Sequence, residues 1–204
     1  MNRSIEFFDR QFRQQPLDAA IKLNPFEEQV LPYLSGDVLD FGCGMGNLAF
    51  AAAKQGCRVT ALDASPAAVA HIRRRARDED AAVSVAVADL RAYVLADDYD
   101  CVVSVGLLMF FDCEIAFKVL TELLAHVRPG GYAAVNVLVE GTTYLDMFDP
   151  DGHCLFAASE LQTRFSGWAI VRSEITAFEA PGQTVKRFLT VIARKPTRAK
   201  PARP

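Results

Sequence analysis

The sequence predicts an α/β fold: a three-layer α-β-α sandwich with a doubly wound, mostly parallel sheet of six or seven strands and an antiparallel last strand. Three observations predict it. Short β-branched runs alternate with longer helix-like segments, the pattern of repeated βα units. The strand candidates in mid-chain are nearly continuous in apolar residues, as strands buried on both faces are. The last two apolar runs are joined by a tight turn and not by a helix, which marks an antiparallel hairpin.

Each element has its own justification. Val38–Phe41 is the first strand, followed by a helix from about Gly46 to Gln55 that Gly56 ends, a residue free to take positive φ. Arg58–Leu62 is the second strand. Ser65-Pro66 supplies an N-cap hydroxyl and a first-turn proline for a helix over Ala67–Asp78. Its arginines, Arg73, Arg74, Arg75 and Arg77, crowd the last turns as a solvated face complementing the helix dipole. Ser84–Ala88 and Asp100–Val105 are strands three and four. Cys113–Val127 has the spacing of an amphipathic helix, stopped by Arg128-Pro129-Gly130-Gly131. Tyr132–Leu138 is strand five, a helix lies near Ser159–Phe165, and Ala169–Phe178 and Phe188–Ala193 form the hairpin around Ala180-Pro181-Gly182-Gln183.

A chain of 204 residues, 51% hydrophobic and 23% charged, suits one globular domain and excludes general disorder. Its formal charge of -3 averages two unlike parts. Residues 194–204 hold five of the 22 basic residues and no acid, leaving a body with 17 basic against 25 acidic residues, or -8. A long phosphate backbone is bound through many lysine and arginine contacts, so the acidic body argues against nucleic acid and for a small-molecule partner. The expected organisation is an N-terminal helical segment or lid over residues 1–36, a catalytic-type domain over 37–194 and a basic, proline-rich tail over 195–204. The five cysteines form no CxxC pair and signal neither a disulfide framework nor a metal site, so a reducing, cytoplasmic setting is expected. No apolar run approaches the roughly 20 residues of a membrane span. A monomer or homodimer is expected.

The chemistry is concentrated in Val38-Leu39-Asp40-Phe41-Gly42-Cys43-Gly44-Met45-Gly46-Asn47: an acid near the end of a buried strand, three glycines at alternate positions, then a helix. Glycines let a ligand approach the backbone, and the helix start offers unpaired N–H groups. Acids recur at Asp63 and Asp89, each just past a strand. In open α/β sheets ligands sit outside the carboxyl ends of the strands, so these three acids would line one edge. A dinucleotide fingerprint is G-x-G-x-x-G, whereas this loop runs G-x-G-x-G behind an acid, which suits a ligand carrying an ammonium or sulfonium.

On these residues, with the Arg128–Gly131 turn, the sequence resembles the class I S-adenosylmethionine-dependent methyltransferases. The resemblance implies their Rossmann-like fold with strand seven antiparallel. It implies S-adenosylmethionine as cofactor, its methionine end on Asp40, Gly42, Cys43, Gly44 and Met45. It places the ribose on Asp63 and the adenine by Asp89, with Ala64 and Leu90 packed on the ring and Ser104 at the end of strand four. A narrower resemblance, to the tellurite-resistance-type methyltransferases, rests on Ser104–Phe111, Leu155-Phe156 with Glu160-Leu161, Phe165-Ser166-Gly167-Trp168 and Lys186–Thr190. It implies a thiol or chalcogen oxyanion as the methyl acceptor. Where that family places a histidine-arginine pair between the last strands, this sequence has Phe178-Glu179-Ala180-Pro181-Gly182 and no histidine after His153.

The Asn/Asp-Pro-Pro-Tyr/Phe motif of base-methylating enzymes is absent after strand four, where Ser104-Val105-Gly106-Leu107 stands. The segment Asn136–Pro150 is the candidate acceptor wall, since loops after strands carry function, or else a turn closing the sheet edge. Asn136, Tyr144 and Arg187 are the catalytic candidates, Arg187 as a guide for an anionic acceptor. Two other readings stay open: a module that binds S-adenosylmethionine without transferring its methyl group, and a nucleotide-dependent oxidoreductase.

Overall fold

The computed structural model describes residues 3–14, 22–149 and 152–197. Seven strands form one sheet in the order β3-β2-β1-β4-β5-β7-β6. They are β1 (Asp37–Phe41), β2 (Arg58–Asp63), β3 (Val83–Val87), β4 (Tyr99–Val105), β5 (Val127–Leu138), β6 (Ala169–Ala180) and β7 (Thr184–Arg194). β1 pairs in parallel with β2 and β4, β2 with β3 and β4 with β5, while β7 runs antiparallel to both its neighbours. The helices are α1 (Arg3–Arg13), α2 (Pro25–Val30), α3 (Asn47–Lys54), α4 (Pro66–Asp78), α5 (Cys113–Ala125) and α6 (Ala158–Thr163).

Alternation along the strands sends side chains to two cores. Leu39, Phe41, Val102, Val135 and Leu189 pack with α5 and α6 on one face. Val38, Val59, Ala61, Val103 and Ile192 pack with α2, α3 and α4 on the other. The chain winds from β1 outward through β2 to β3, then returns to β4 on the other side of β1. This reversal opens a crevice at the carboxyl ends of β1 and β4.

Two predicted helix boundaries hold in detail: Ser65 caps the start of α4 by accepting from the Ala68 N–H at 3.1 Å, and Gly56 takes φ +89° behind the end of α3. Three expectations need correction. The helix expected to reach Val127 ends at Ala125, and Arg128–Gly131, read as its stop, lies inside β5. There the segment bulges between the pairs Tyr99↔Val127 and Cys101↔Tyr132. Arg128 bridges Asp37 and Asp100 at 2.8 and 2.9 Å, so the segment is fixed by ion pairs and strand contacts. Second, Cys113 and Cys154 are joined in a disulfide, leaving Cys43, Cys57 and Cys101 as buried thiols. The spacing of 41 residues carries no local signature, because the partners meet only through tertiary packing. Third, Lys195, assigned to the tail, is part of the folded body: its Nζ donates to the carbonyls of Leu124, Ala125 and Val127 at 3.0, 2.9 and 2.7 Å, capping α5. Residues 198–204 of that tail lie outside the described residues. Among the described residues no helix is long and apolar enough to cross a membrane.

At Gly131 β5 passes close to β4, and an added Cβ would run into the Asp100 carbonyl oxygen. Gly131→Ala should therefore lower unfolding stability by about 2–4 kcal/mol, read as a lower urea midpoint at unchanged slope. A midpoint equal to the parent's would show that the bulge relaxes freely.

Candidate functional site

A cavity of about 350 Å³ occupies the crevice at the carboxyl ends of β1, β2 and β4. Nine of the ten predicted cofactor residues line it: Asp40, Gly42, Cys43, Gly44, Met45, Asp63, Ala64, Asp89 and Leu90. Ser104, the tenth, is buried and does not line it, and its hydroxyl has no hydrogen-bond partner among the described residues.

The loop after β1 owes its shape to its glycines. Gly42, Gly44 and Gly46 all take positive φ, at +86°, +51° and +75°. At Gly42 an added Cβ would lie 2.7 Å from a Leu107 methyl carbon, so the loop passes the segment after β4 with no room for a side chain. Asp63 then fixes the loop. One of its carboxylate oxygens accepts the Gly44 N–H and the other the Ser65 N–H, both at 2.8 Å. Burial nevertheless pushes the Asp63 carboxyl above its ordinary range.

Asp40 is 5% exposed, and its Oδ2 has no hydrogen-bond partner among the described residues. Burial, then the neighbouring Glu27 and Asp63 charges, push its pKa up to about 8. Glu27 comes from α2, where Asn24 and Glu27 form a reciprocal capping box: the Asn24 side chain accepts from the Phe26 and Glu27 N–H groups, and the Glu27 carboxylate accepts from the Asn24 N–H at 2.8 Å. Burial raises the Glu27 pKa as well. Among the described residues the lining holds four carboxyl groups, from Glu27, Asp40, Asp63 and Asp89, against the single guanidinium of Arg91, which already pairs with Asp89 at 3.3 Å. Such a cavity selects for positive charge.

The opposite wall is apolar. Val105, Gly106, Leu107, Phe110 and Phe111 come from the end of β4 and the short 3-10 turn after it, and Phe8 and Phe12 come from α1. Phe8 meets Phe110 edge-on at 5.1 Å between centroids. α1 is fastened by Asp9, which accepts from the Ser65 hydroxyl at 2.6 Å and from the Ala67 N–H at 3.1 Å, and pairs with Arg13 at 2.7 Å. Those bonds hold the Asp9 carboxyl below its ordinary pKa, the Ser65 hydroxyl contributing most.

The three catalytic candidates are not at this cavity. Asn136 is buried in the sheet, its Nδ2 donating to Thr190 Oγ1 at 2.9 Å. The Tyr144 ring lies under the Lys186 ammonium at 4.4 Å. Arg187 Nη1 donates to the Glu140 carbonyl at 3.1 Å, and its backbone N–H donates to Thr142 Oγ1. Thr143 exchanges backbone and side-chain bonds with Val185. The segment after β5 therefore closes the sheet edge against β7. Pro150, its expected last residue, lies outside the described residues. His153 stacks on Phe148 at 4.8 Å, and His71 is buried on α4. Sequence reasoning missed Glu27 and Asn24: the N-x-x-E signature of a capping box was legible, but its place over the cavity was not. Among the described residues no cluster of His, Cys, Asp or Glu suits a metal ion.

A model of the methyltransferase domain matches residues 38–131. The chain is 30% identical over 168 residues to Hemagglutinin 1 of Eikenella corrodens, covering 78% of this chain and 54% of that protein. It is 27% identical over 165 residues to the probable S-adenosyl-L-methionine-dependent methyltransferase TehB of Haemophilus influenzae, covering 78% and 57%. The chain thus spans about half the length of these curated relatives. The crystal structure of TehB from Haemophilus influenzae shares its fold at a TM-score of 0.74 and 21% identity, covering 94% of this chain and 67% of that one.

The raised carboxyls make stability depend on pH. Folded Asp40 keeps its proton up to about pH 8, whereas the unfolded chain releases it near 3.8, so between those values the folded state holds more protons. Its contribution is fully present below the unfolded pKa and is lost as pH rises through about 8. The melting temperature of the ligand-free protein should fall across that window, and Asp40→Asn should flatten the upper part of the fall. A parent curve that rises from pH 5 to pH 8 would show that Asp40 is ionised in the fold.

Proposed function

We propose that the protein transfers the methyl group of S-adenosylmethionine to a small, soft acceptor of the thiol or chalcogen-oxyanion kind, a reading supported by the match of residues 38–131 to a model of the methyltransferase domain and by the likeness of the chain to TehB. The observation that carries this reading is a single cavity whose lining combines acidic groups, among them a buried Asp40 carboxyl oxygen without a partner among the described residues, with the apolar side chains of Leu107, Phe110 and Phe111.

The residues present fit the donor. Gly42 and Gly44 leave backbone bare beside the cavity, and Asp40 with Glu27 offers carboxyl oxygen to an ammonium or sulfonium. Asp63, already fixed by Gly44 and Ser65, keeps lone pairs for ribose hydroxyls. Leu90 and Ala64 supply surface for the adenine ring, and Asp89 stands beside them for its amine.

S-adenosylmethionine supplies a methyl carbon on a cationic sulfur, which a nucleophile can displace in line. The protein's share is positioning and exclusion of water. Orientation alone can supply roughly 7–11 kcal/mol of a displacement barrier. The Leu107–Phe111 wall offers the acceptor a dry face without a charged group, which favours weakly hydrated nucleophiles. Arg187, pinned to Glu140, is not available there to guide an anion. Within the acceptor class this favours thiols over oxyanions. α1 acts as a lid, with Asp9 as its clasp and Phe8 and Phe12 as its cavity face.

Incubation with S-adenosylmethionine and a panel of aromatic thiols, selenite and tellurite should release S-adenosylhomocysteine above blank with at least one acceptor. No turnover on any of them, with S-adenosylhomocysteine still bound, would overturn transfer and leave a binding module. Asp63→Ala should abolish the thermal stabilisation given by S-adenosylhomocysteine, and an unchanged shift would remove the ribose assignment. Deleting residues 1–14 should weaken S-adenosylhomocysteine binding roughly tenfold in calorimetry while the domain still melts cooperatively. Equal affinity in the truncated protein would sink the lid.

A further inference from the structure

The disulfide joins the segment that supplies Phe110 and Phe111 to the cavity wall to a second segment, which packs against that wall through the contact of Phe148 with Phe110. Cys113 opens α5, directly after Phe110, Phe111 and the capping residue Asp112, and it lies at the surface. Cys154 is 1% exposed, and its N–H donates to the Met109 carbonyl at 3.0 Å. Next to it His153 stacks on Phe148, whose ring meets Phe110 at 5.2 Å, and Phe110 in turn meets Phe8 of α1. The bridge is thus the covalent tie in a run of contacts from residue 154 through the apolar wall to α1, and its sulfur-bearing partner Cys113 is the one that solvent can reach.

We propose that Cys113–Cys154 is a thiol–disulfide exchange site for low-molecular-weight thiols, and that opening it loosens the Phe110 wall and with it the seat of α1. A thiolate attacks Cys113 Sγ, forming a mixed disulfide, and the bond to Cys154 breaks with its electron pair leaving on Cys154 Sγ, which takes up a proton. A second thiolate attacks the sulfur of the first on the mixed disulfide, giving a small disulfide, and the Cys113 thiolate takes up a proton. In sum one protein disulfide and two thiols become two protein thiols and one small disulfide, and the small disulfide is the oxidant for the reverse course. The site is distinct from the donor assignment, since neither cysteine of the pair lines the cavity that Asp40, Asp63 and the glycine loop line. Its binding readout rests on the donor assignment made above, but its chemistry does not.

Reduced glutathione is the probe. Alkylation of the denatured protein should modify three of the five cysteines before treatment and all five after it. Backbone hydrogen exchange over residues 108–111 and 152–156 should then quicken about tenfold, with β1 and β2 unchanged. S-adenosylhomocysteine affinity should fall about threefold or more, because Phe8 loses a fixed partner. The double variant Cys113→Ser/Cys154→Ala should exchange at the reduced rate without glutathione and ignore its addition. Five alkylated cysteines before treatment, or unchanged exchange after it, or unchanged affinity in the opened protein, overturns the proposal. If S-adenosylhomocysteine binds in neither state the donor assignment fails, while adduct count and exchange rates still decide the exchange site.

Discussion

The carboxylate of Asp63 is the constraint on which the site's geometry rests. It stands at the end of β2 and spends one oxygen on the glycine loop and the other on the turn into α4. The turn residue it holds, Ser65, caps α4 with its hydroxyl oxygen and donates the hydroxyl hydrogen to Asp9. Loop, turn, helix and α1 are therefore held by a short relay of bonds that begins at one half-buried acid. Remove the acid and the loop N–H, the turn N–H and the register of α1 all lose a partner together. Such relays gain from low local dielectric when every member is satisfied and lose as steeply when one is not.

The layout of acids carries a cost that a purely structural site would not. Glu27, Asp40 and Asp63 are all driven toward their protonated forms by burial, and Asp40 also by the charges of Glu27 and Asp63. A carboxyl oxygen left without a partner inside a protein lowers stability, and packing gives no return for it. On the proposed function, its return comes through a cationic partner. This is the usual relation between an active-site constellation and the fold that carries it, in which part of the stability is given up where ligand will later restore it.

Much of this was legible before the fold was known. The strands and helices could be read because strands buried on both faces have few sequence solutions and because Ser65-Pro66 and Gly56 mark helix ends in local chemistry. Asp40, Asp63 and Asp89 could be brought together because parallel strands put their carboxyl ends on one edge. What stayed hidden depended on strand order or on distant packing. Asn136 and Tyr144 are candidates as polar residues of the segment following strand five, and Arg187 as a basic residue of the last strand able to guide an anion. The insertion of β7 beside β5 instead fastens that loop to β7, away from the crevice of β1 and β4. Glu27 reaches the cavity from a six-residue helix whose location no periodicity reveals. The Arg128–Gly131 run reads as a helix stop in isolation, but Arg128 finds Asp37 and Asp100, residues 91 and 28 positions away, and the chain follows it into the sheet.

The position of β7 has a further consequence for how the chain is made. β6 precedes β7 in sequence but touches the sheet only through it, being paired to β7 alone. While the polypeptide emerges from the ribosome, β1 to β5 can assemble in order, yet β6 has no place to dock and β5 carries an open edge. The late-arriving strand fills both vacancies at once, with Lys195 then locking onto the end of α5. Release of the last folded residues is thus the event that completes the sheet, and nascent chains stalled short of β7 should be the ones that chaperones hold.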